Sequence, residues 1–469
     1  MNIKFFHVIF SLIFLLLTGC AHNNIYRGGG VEKCKKNRCE QALIEQHNDE
    51  NYDLAFVEFT ERGNLFDRSK LDDVVNYIED QKNKNDGVMV LVYVHGWKHN
   101  ASNSPGGDVN EFRKLLSEIS ENKLENKKVI GVYIGWRGLT YHNEPFKTLL
   151  TFWGRKRVAH QVGSGGVSEV LLRLEKVTKN VSNPTKNTFV VAGHSFGAAV
   201  ILASMKNILI DRIINTEQID YGKCYFRKEF KNICSSGCYK TKPFGDGVIL
   251  LNPAVEANEL MQIKSLTTEE QCYAEEQPKL LHILTTNSDK ATRYAFGVGQ
   301  FLGVSIREKE EILKRFVYKD DTDKKRKIEL NEMDLDLITI GHYPPFRTGS
   351  SKKCTDDSGV KKECYVSCKG DASCIENEAH KRFNFPVSPY EPISVVYTDS
   401  SVMRNHTDIF NGKVVAYIAT AIMENKFKKD SGKVIDNFKM CVKEHKNSNF
   451  SFNFNSCLAF YRNRYEKYE

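Results

Sequence analysis

Gly193-His194-Ser195-Phe196-Gly197 stands where a β-branched run, Thr188 to Ala192, gives way to an Ala-rich helical run, Phe196 to Ile210. Glycines two before and two after a serine let a strand turn sharply into a helix and hold the hydroxyl out above the sheet, where it can attack an acyl carbon. A serine hydroxyl is a weak nucleophile at neutral pH. It needs a base to take its proton, usually a histidine whose tautomer a carboxylate fixes. The anion that forms on the attacked carbonyl needs two preorganised N–H donors.

After Ser195 the chain offers His282, His342, His380, His406 and His445. His282 lies inside an expected strand, where a packed core histidine is the ordinary outcome. His406 follows the expected strand Ile393 to Tyr397 by a short loop and precedes the last regular helix. His342, in Gly341-His342-Tyr343-Pro344-Pro345, is the alternative base. For the acid, Asp289 closes a strand-like run that begins at Leu280, and Glu256, after the run ending Leu250-Leu251, is the alternative. Upstream, the apolar run Val88 to Val94 ends in His95-Gly96-Trp97, a loop able to supply a second N–H donor.

Strand before and helix after make the Gly-x-Ser-x-Gly turn resemble the nucleophile elbow of α/β-hydrolases, and His95-Gly96 resembles the His-Gly motif of lipases and esterases. Together with Tyr93-Val94-His95-Gly96-Trp97, Tyr133-Ile134-Gly135-Trp136-Arg137 and Asn405-His406-Thr407-Asp408-Ile409, the elbow is similar to a bacterial group of α/β-hydrolase proteins without an assigned substrate. The likeness spans roughly residues 53–300 and 390–425. It implies the chain order Ser, acid, His, and so Ser195 as nucleophile, Asp289 as acid and His406 as base. It implies the Phe196 and Trp97 amides as oxyanion donors, with His95 organising its loop. The implied activity is a serine hydrolase acting on a carboxylic ester, lipid or other, through an acyl-enzyme. An acyltransferase, or a non-catalytic envelope lipoprotein that uses the scaffold for binding, is the alternative. No cofactor motif stands out.

Met1 to Lys4 is a short positive start, Phe5 to Leu17 is apolar, and Leu17-Thr18-Gly19-Cys20 follows. The order of charge, short apolar stretch and small residues reads as an export signal. It resembles a bacterial lipoprotein signal with its lipobox, which implies cleavage before Cys20 and lipid on that cysteine. Ala21, in place of an aspartate, points to the outer membrane. With Cys20 set aside, twelve of the thirteen cysteines remain, in local groups: Cys34 and Cys39; Cys224, Cys234, Cys238 and Cys272; Cys354, Cys364, Cys368 and Cys374; Cys441 and Cys457. An even set on an exported chain reads as disulfides. Paired Cys-x-x-Cys knuckles do not occur in either four-cysteine group, so no metal is expected.

The elements that must position these residues alternate. Apolar strand-like runs at 54–59, 88–94, 129–134, 188–192, 247–251, 280–285 and 393–397 are separated by helical patterns at 65–81, 109–121, 167–177 and 196–210, with a last helix at 413–424. Near-continuous apolar strands between helices predict an α/β fold with a mostly parallel sheet covered on both faces, here the α/β-hydrolase fold. The expected organisation is a signal peptide at 1–19, a lipidated tether at 20–50, a hydrolase domain at 51–430 with cysteine-bearing insertions at about 212–245 and 305–390, and a C-terminal extension at 431–469. Among 469 residues, 67 Lys and Arg against 59 Asp and Glu leave +8. The basic residues are interleaved with acids rather than gathered in a stripe, so nucleic acid is not an expected partner.

Overall fold

The computed structural model describes residues 24–34, 39–104, 107–121, 127–139, 151–180, 186–219, 237–268, 272–274, 277–304, 315–319, 325–329, 332–343, 346–355, 361–367, 391–398, 400 and 402–426. The signal segment, Cys20 and the C-terminal extension lie outside the described residues, as do 220–236 and 368–390 within the two expected insertions.

The central sheet has eleven strands: β1 (Val31–Lys33), β2 (Ile44–His47), β3 (Tyr52–Glu58), β4 (Val88–Val94), β5 (Lys128–Gly135), β6 (Thr188–His194), β7 (Gly247–Leu251), β8 (Leu281–Thr286), β9 (Gly349–Thr355), β10 (Lys361–Ser367) and β11 (Ile393–Thr398). Their order is β1-β2-β3-β5-β4-β6-β7-β8-β11-β9-β10. From β3 to β9 every neighbouring pair is parallel, and the β2–β3 and β9–β10 pairs are antiparallel. The chain is therefore α/β with a mostly parallel central sheet, as the alternating runs predict.

Helices cover both faces. Those given labels are α1 (Arg68–Lys84), α2 (Asp108–Glu121), α3 (Phe152–Val162), α4 (Ser168–Lys179), α5 (Phe196–Ile214), α6 (Ala257–Thr268), α7 (Phe296–Val304), α8 (Glu332–Leu337) and α9 (Gly412–Lys426). Val88, Val90, Val92 and Val94 of β4 pack with α1, α3, α4, α5 and α6, whereas Leu91 and Tyr93 pack with α2 and α9. A strand sends alternate side chains to opposite faces, so burial on both leaves no position for a polar residue and produces the unbroken apolar run. Among the described residues no helix is long and apolar enough to cross a membrane.

The chain runs from β4 to β5 on one side of β4 and then to β6 on the other. Such a reversal opens a crevice beyond the carboxyl ends of the two adjacent strands, where ligands of open α/β sheets bind. The loops that leave β4 and β6 at this point carry Trp97 and Ser195.

Two expectations about organisation change. Residues 24–34 and 39–50 are not a free tether, because β1 and β2 add to the sheet edge and Arg27 is only 1% exposed. Buried ion pairs of Arg27 and Glu45 hold this segment beside only a few core residues, Leu43 and Ile44, so its mostly polar composition reads as a linker. Within 305–390, β9 and β10 extend the sheet past β11, and Ile340 is fully buried, its N–H donating to the Val255 carbonyl. Leu335, Ile340 and Tyr343 are thus part of the core, and His342 is buried with them. Cys34 and Cys39 form a disulfide, and Cys238 and Cys272 are also disulfide-bonded.

Candidate active site

Ser195 adopts φ 55° and ψ −119° between β6 and α5. A positive φ strains any residue with a Cβ, and the turn persists because its surroundings leave no alternative. A side chain at Gly197 would run into the Val94 and His95 carbonyl oxygens, and one at Gly193 would meet the Gly197 carbonyl at 2.8 Å. The glycines therefore allow α5 to start directly against β4 with the serine at its mouth. The Ser195 N–H donates to the Leu251 carbonyl of β7 at 3.1 Å, and its own carbonyl accepts from Ala254 N–H at 3.1 Å.

The structure brings three of the expected residues together. Ser195 Oγ lies 2.9 Å from His406 Nε2, and His406 Nδ1 lies 2.8 Å from Asp289 Oδ2. With Asp289 as an acceptor, Nδ1 carries the proton and Nε2 is left to accept from the serine. Asp289 is fully buried after β8. Burial pushes its carboxyl up, but the His406 hydrogen bond and charge, with donation from Thr292, outweigh this and hold it below the usual carboxylate range. Its oxygens also accept from the Ala291 N–H at 2.9 Å, from the Thr292 N–H at 3.1 Å and from the Thr292 hydroxyl.

The alternatives fall elsewhere. Glu256 pairs with Lys156 of α3 at 2.8 Å. His342 stands behind the acid, its Nε2 at 3.0 Å from Thr292 Oγ1. Because that hydroxyl already donates to Asp289, it must accept from His342, whose Nε2 carries the proton. Burial lowers the His342 pKa to about 4. His282 is buried in β8, edge-on to Tyr417. His380 and His445 lie outside the described residues.

His95 supports a loop rather than acting on a proton. Burial lowers its pKa to about 3. Its Nε2 accepts from the Trp136 N–H at 3.1 Å, so Nδ1 bears the proton and donates to the Gly96 carbonyl at 2.9 Å. Its ring stacks on Trp136 and Tyr133, both at 5.4 Å. A trans peptide points its C=O and N–H in opposite directions. Holding the Gly96 carbonyl toward His95 therefore holds the Trp97 N–H away from it, and among the described residues that N–H has no acceptor. The Phe196 N–H opens α5, where a helix has no internal acceptor to offer. A Cβ at Gly96 would stand 3.0 Å from Ser195 Cβ, which measures how closely the two loops approach.

Two positioning residues have no counterpart in the motif reading. His194 Nε2 and Asn252 Nδ2 both donate to the His406 carbonyl, at 2.8 and 2.9 Å, and Asn252 Oδ1 accepts from the Thr286 N–H at 3.1 Å. Burial, then the nearby His406 charge, lowers the His194 pKa to about 3. The only sequence signal for His194 is a titratable residue ending an apolar strand; Asn252 and Thr292 have none.

As for metals, Cys34, Glu45 and His47 offer ligand atoms within 4.8 Å of one another, but Cys34 is tied to Cys39 and Glu45 is taken by two arginines. This group does not fit a cation. No family model matches the chain, and comparison with curated proteins and with solved structures finds no match.

Proposed function

We propose that the chain is a serine hydrolase with the α/β-hydrolase fold, anchored to the bacterial cell envelope through a lipidated Cys20 and cleaving a carboxylic ester. The observation that carries the catalytic reading is the continuous Ser195–His406–Asp289 hydrogen-bond chain, set on a strained strand-to-helix turn in the crevice between β4 and β6. A binding protein on this scaffold has no use for a serine held in strain against a histidine that is ready to accept its proton.

The chemistry follows from the proton positions. Ser195 Oγ attacks the ester carbonyl carbon as His406 Nε2 takes its proton. Asp289 stabilises the imidazolium, and the Phe196 and Trp97 amides donate to the oxyanion. Collapse returns the proton to the departing alcohol and leaves an acyl-serine. His406 then deprotonates a water that attacks the acyl carbon, which releases the carboxylic acid and restores Ser195. An alcohol in place of water gives acyl transfer by the same steps.

A fluorophosphonate probe tests the enzyme: it should label the purified protein and not the Ser195→Ala variant. Equal labelling of both, or none of either, rejects the assignment. Incorporation of labelled palmitate tests the anchor, which is rejected if a Cys20→Ser chain still takes up label.

A further inference from the structure

The polypeptide leaving Asp289 forms a π-helical turn, Ala291–Ala295, and then α7, whose sequence Phe-Gly-Val-Gly-Gln-Phe-Leu-Gly-Val has no charged residue. A surface helix ordinarily turns its apolar side inward and its polar side to water. Here Phe296 is 1% exposed and faces the core, yet Tyr294, Val298 and Phe301 are 57%, 73% and 49% exposed. Their spacing of four and three residues puts them on one stripe. Trp153 of α3 joins them: it is 42% exposed and its indole N–H donates to the Gly299 carbonyl at 2.8 Å. Four of the nine large apolar side chains exposed among the described residues thus lie on one face.

The segments that carry these side chains, 151–162 and 290–304, contain no Asp or Glu, and Arg157, Lys290 and Arg293 are exposed on them, while Glu332, Asp334 and Asp336 belong to the adjoining α8. The Arg293 guanidinium lies 5.0 Å from the Tyr294 ring centroid. Apolar side chains rimmed by cations, with Trp and Tyr among them, match the boundary between acyl chains and anionic headgroups. The face also adjoins the candidate site. Trp153 contacts Phe152 at 6.0 Å, and Phe152 contacts Trp97 at 5.7 Å and Phe196 at 5.4 Å, so aromatic rings lead from the exposed face to the residue after Ser195.

We propose that the α3–α7 face seats the protein on an anionic lipid surface, so that an ester withdrawn from that surface passes along these rings to Ser195. The second half rests on the hydrolase reading; the docking does not. This contact is separate from the anchor at Cys20, since it orients the folded body rather than tethering the chain.

The test uses the chain from Ala21 onward, which lacks both the apolar export signal and Cys20, sedimented with vesicles of phosphatidylglycerol and phosphatidylcholine. The chain should bind, and Val298→Glu together with Tyr294→Glu should lower binding by about tenfold or more, since each places a charge where apolar surface was buried. Lys290→Glu with Arg293→Glu should weaken binding to the anionic vesicles and leave binding to pure phosphatidylcholine unchanged. Thermal midpoint and fluorophosphonate labelling should be unaltered in all variants. No sedimentation of the parent chain, or equal sedimentation of parent and Val298→Glu variants, overturns the proposal. So does a dimer, seen by light scattering, that Val298→Glu dissociates while neither protein binds vesicles. If the parent binds vesicles but Ser195 takes no probe, the docking surface stands and the hydrolase reading falls.

Discussion

Glu45 and Asp289 are both buried almost completely, and they are satisfied in different ways. Glu45, at the sheet edge, accepts from Arg27 Nη1 at 2.8 Å, from Arg113 Nε and Nη2 at 2.9 and 2.6 Å, and lies 3.0 Å from His47 Nε2. Asp289, beneath the crevice, accepts from one histidine, one hydroxyl and two backbone amides. Burial raises the proton affinity of both, and the donors more than offset it in both. The difference is that two guanidiniums hold Glu45 beside its histidine, whereas Asp289 meets no guanidinium among the described residues. A guanidinium never gives up its proton, so Glu45 with Arg27 and Arg113 is a fixed clasp that binds residues 24–34 and 39–50 to the body. An imidazole can hold one proton or two, so Asp289 can stabilise a charge that appears only when His406 takes the serine proton. The same burial gives a structural pair in one place and a poised one in the other.

Substitutions at the two sites should separate these roles. The largest effect is expected at the reacting atoms: Ser195→Ala or His406→Ala should lower turnover of a short-chain ester by roughly a million-fold with little change in thermal midpoint. Asp289→Asn keeps the shape but favours the wrong His406 tautomer, and should cost about 10⁴ in kcat. Glu45→Gln should do the reverse. It leaves two buried guanidiniums short of a counter-charge, costs about 3–5 kcal/mol in denaturant unfolding, and leaves turnover per folded molecule unchanged. A large kcat loss in Glu45→Gln would erase the distinction.

Three buried histidines sharpen it further. The pKa values of His95 and His194 are lowered to about 3 and that of His342 to about 4, so each stays neutral in the folded state where the unfolded chain would protonate. Below a pH of about 6.5 the unfolded state binds more protons, so stability is complete above that pH and falls as pH drops toward these lowered values. Each histidine contributes a slope of up to about 1.4 kcal/mol per pH unit. Denaturant midpoints compared at neutral and acidic pH should show the loss, and His342→Gln should reduce the slope. The smallest effect concerns strain. Ser195→Gly should abolish labelling yet raise stability by about 1 kcal/mol, read as a higher thermal midpoint, because glycine adopts the positive φ freely.

Much of this was legible in the residues. Val88–Val94 and Gly247–Leu251 are strands as the apolar runs predict, and the helix at 109–121 starts one residue earlier. These elements are buried on a sheet face or show a clear amphipathic period, so local pattern and tertiary environment agree. Helix α7 was missed because its apolar exterior removes the polar face that a periodic reading requires. Strands β1 and β2 were missed because Arg27, Glu45, Asn103 and Arg113 satisfy one another across up to 76 residues of chain, and no local window contains such a pairing.

What the amino-acid sequence determined by itself was the alternation of strands and helices, the sharp turn at Ser195, and a short set of histidines and acids, because each depends on near neighbours and on side-chain chemistry. Only the tertiary structure decided among them. It set His406 rather than His342 against Ser195, paired Glu256 with Lys156, and aimed His194 and Asn252 at one carbonyl, because hydrogen bonds act over about 3 Å in space without regard to separation along the chain.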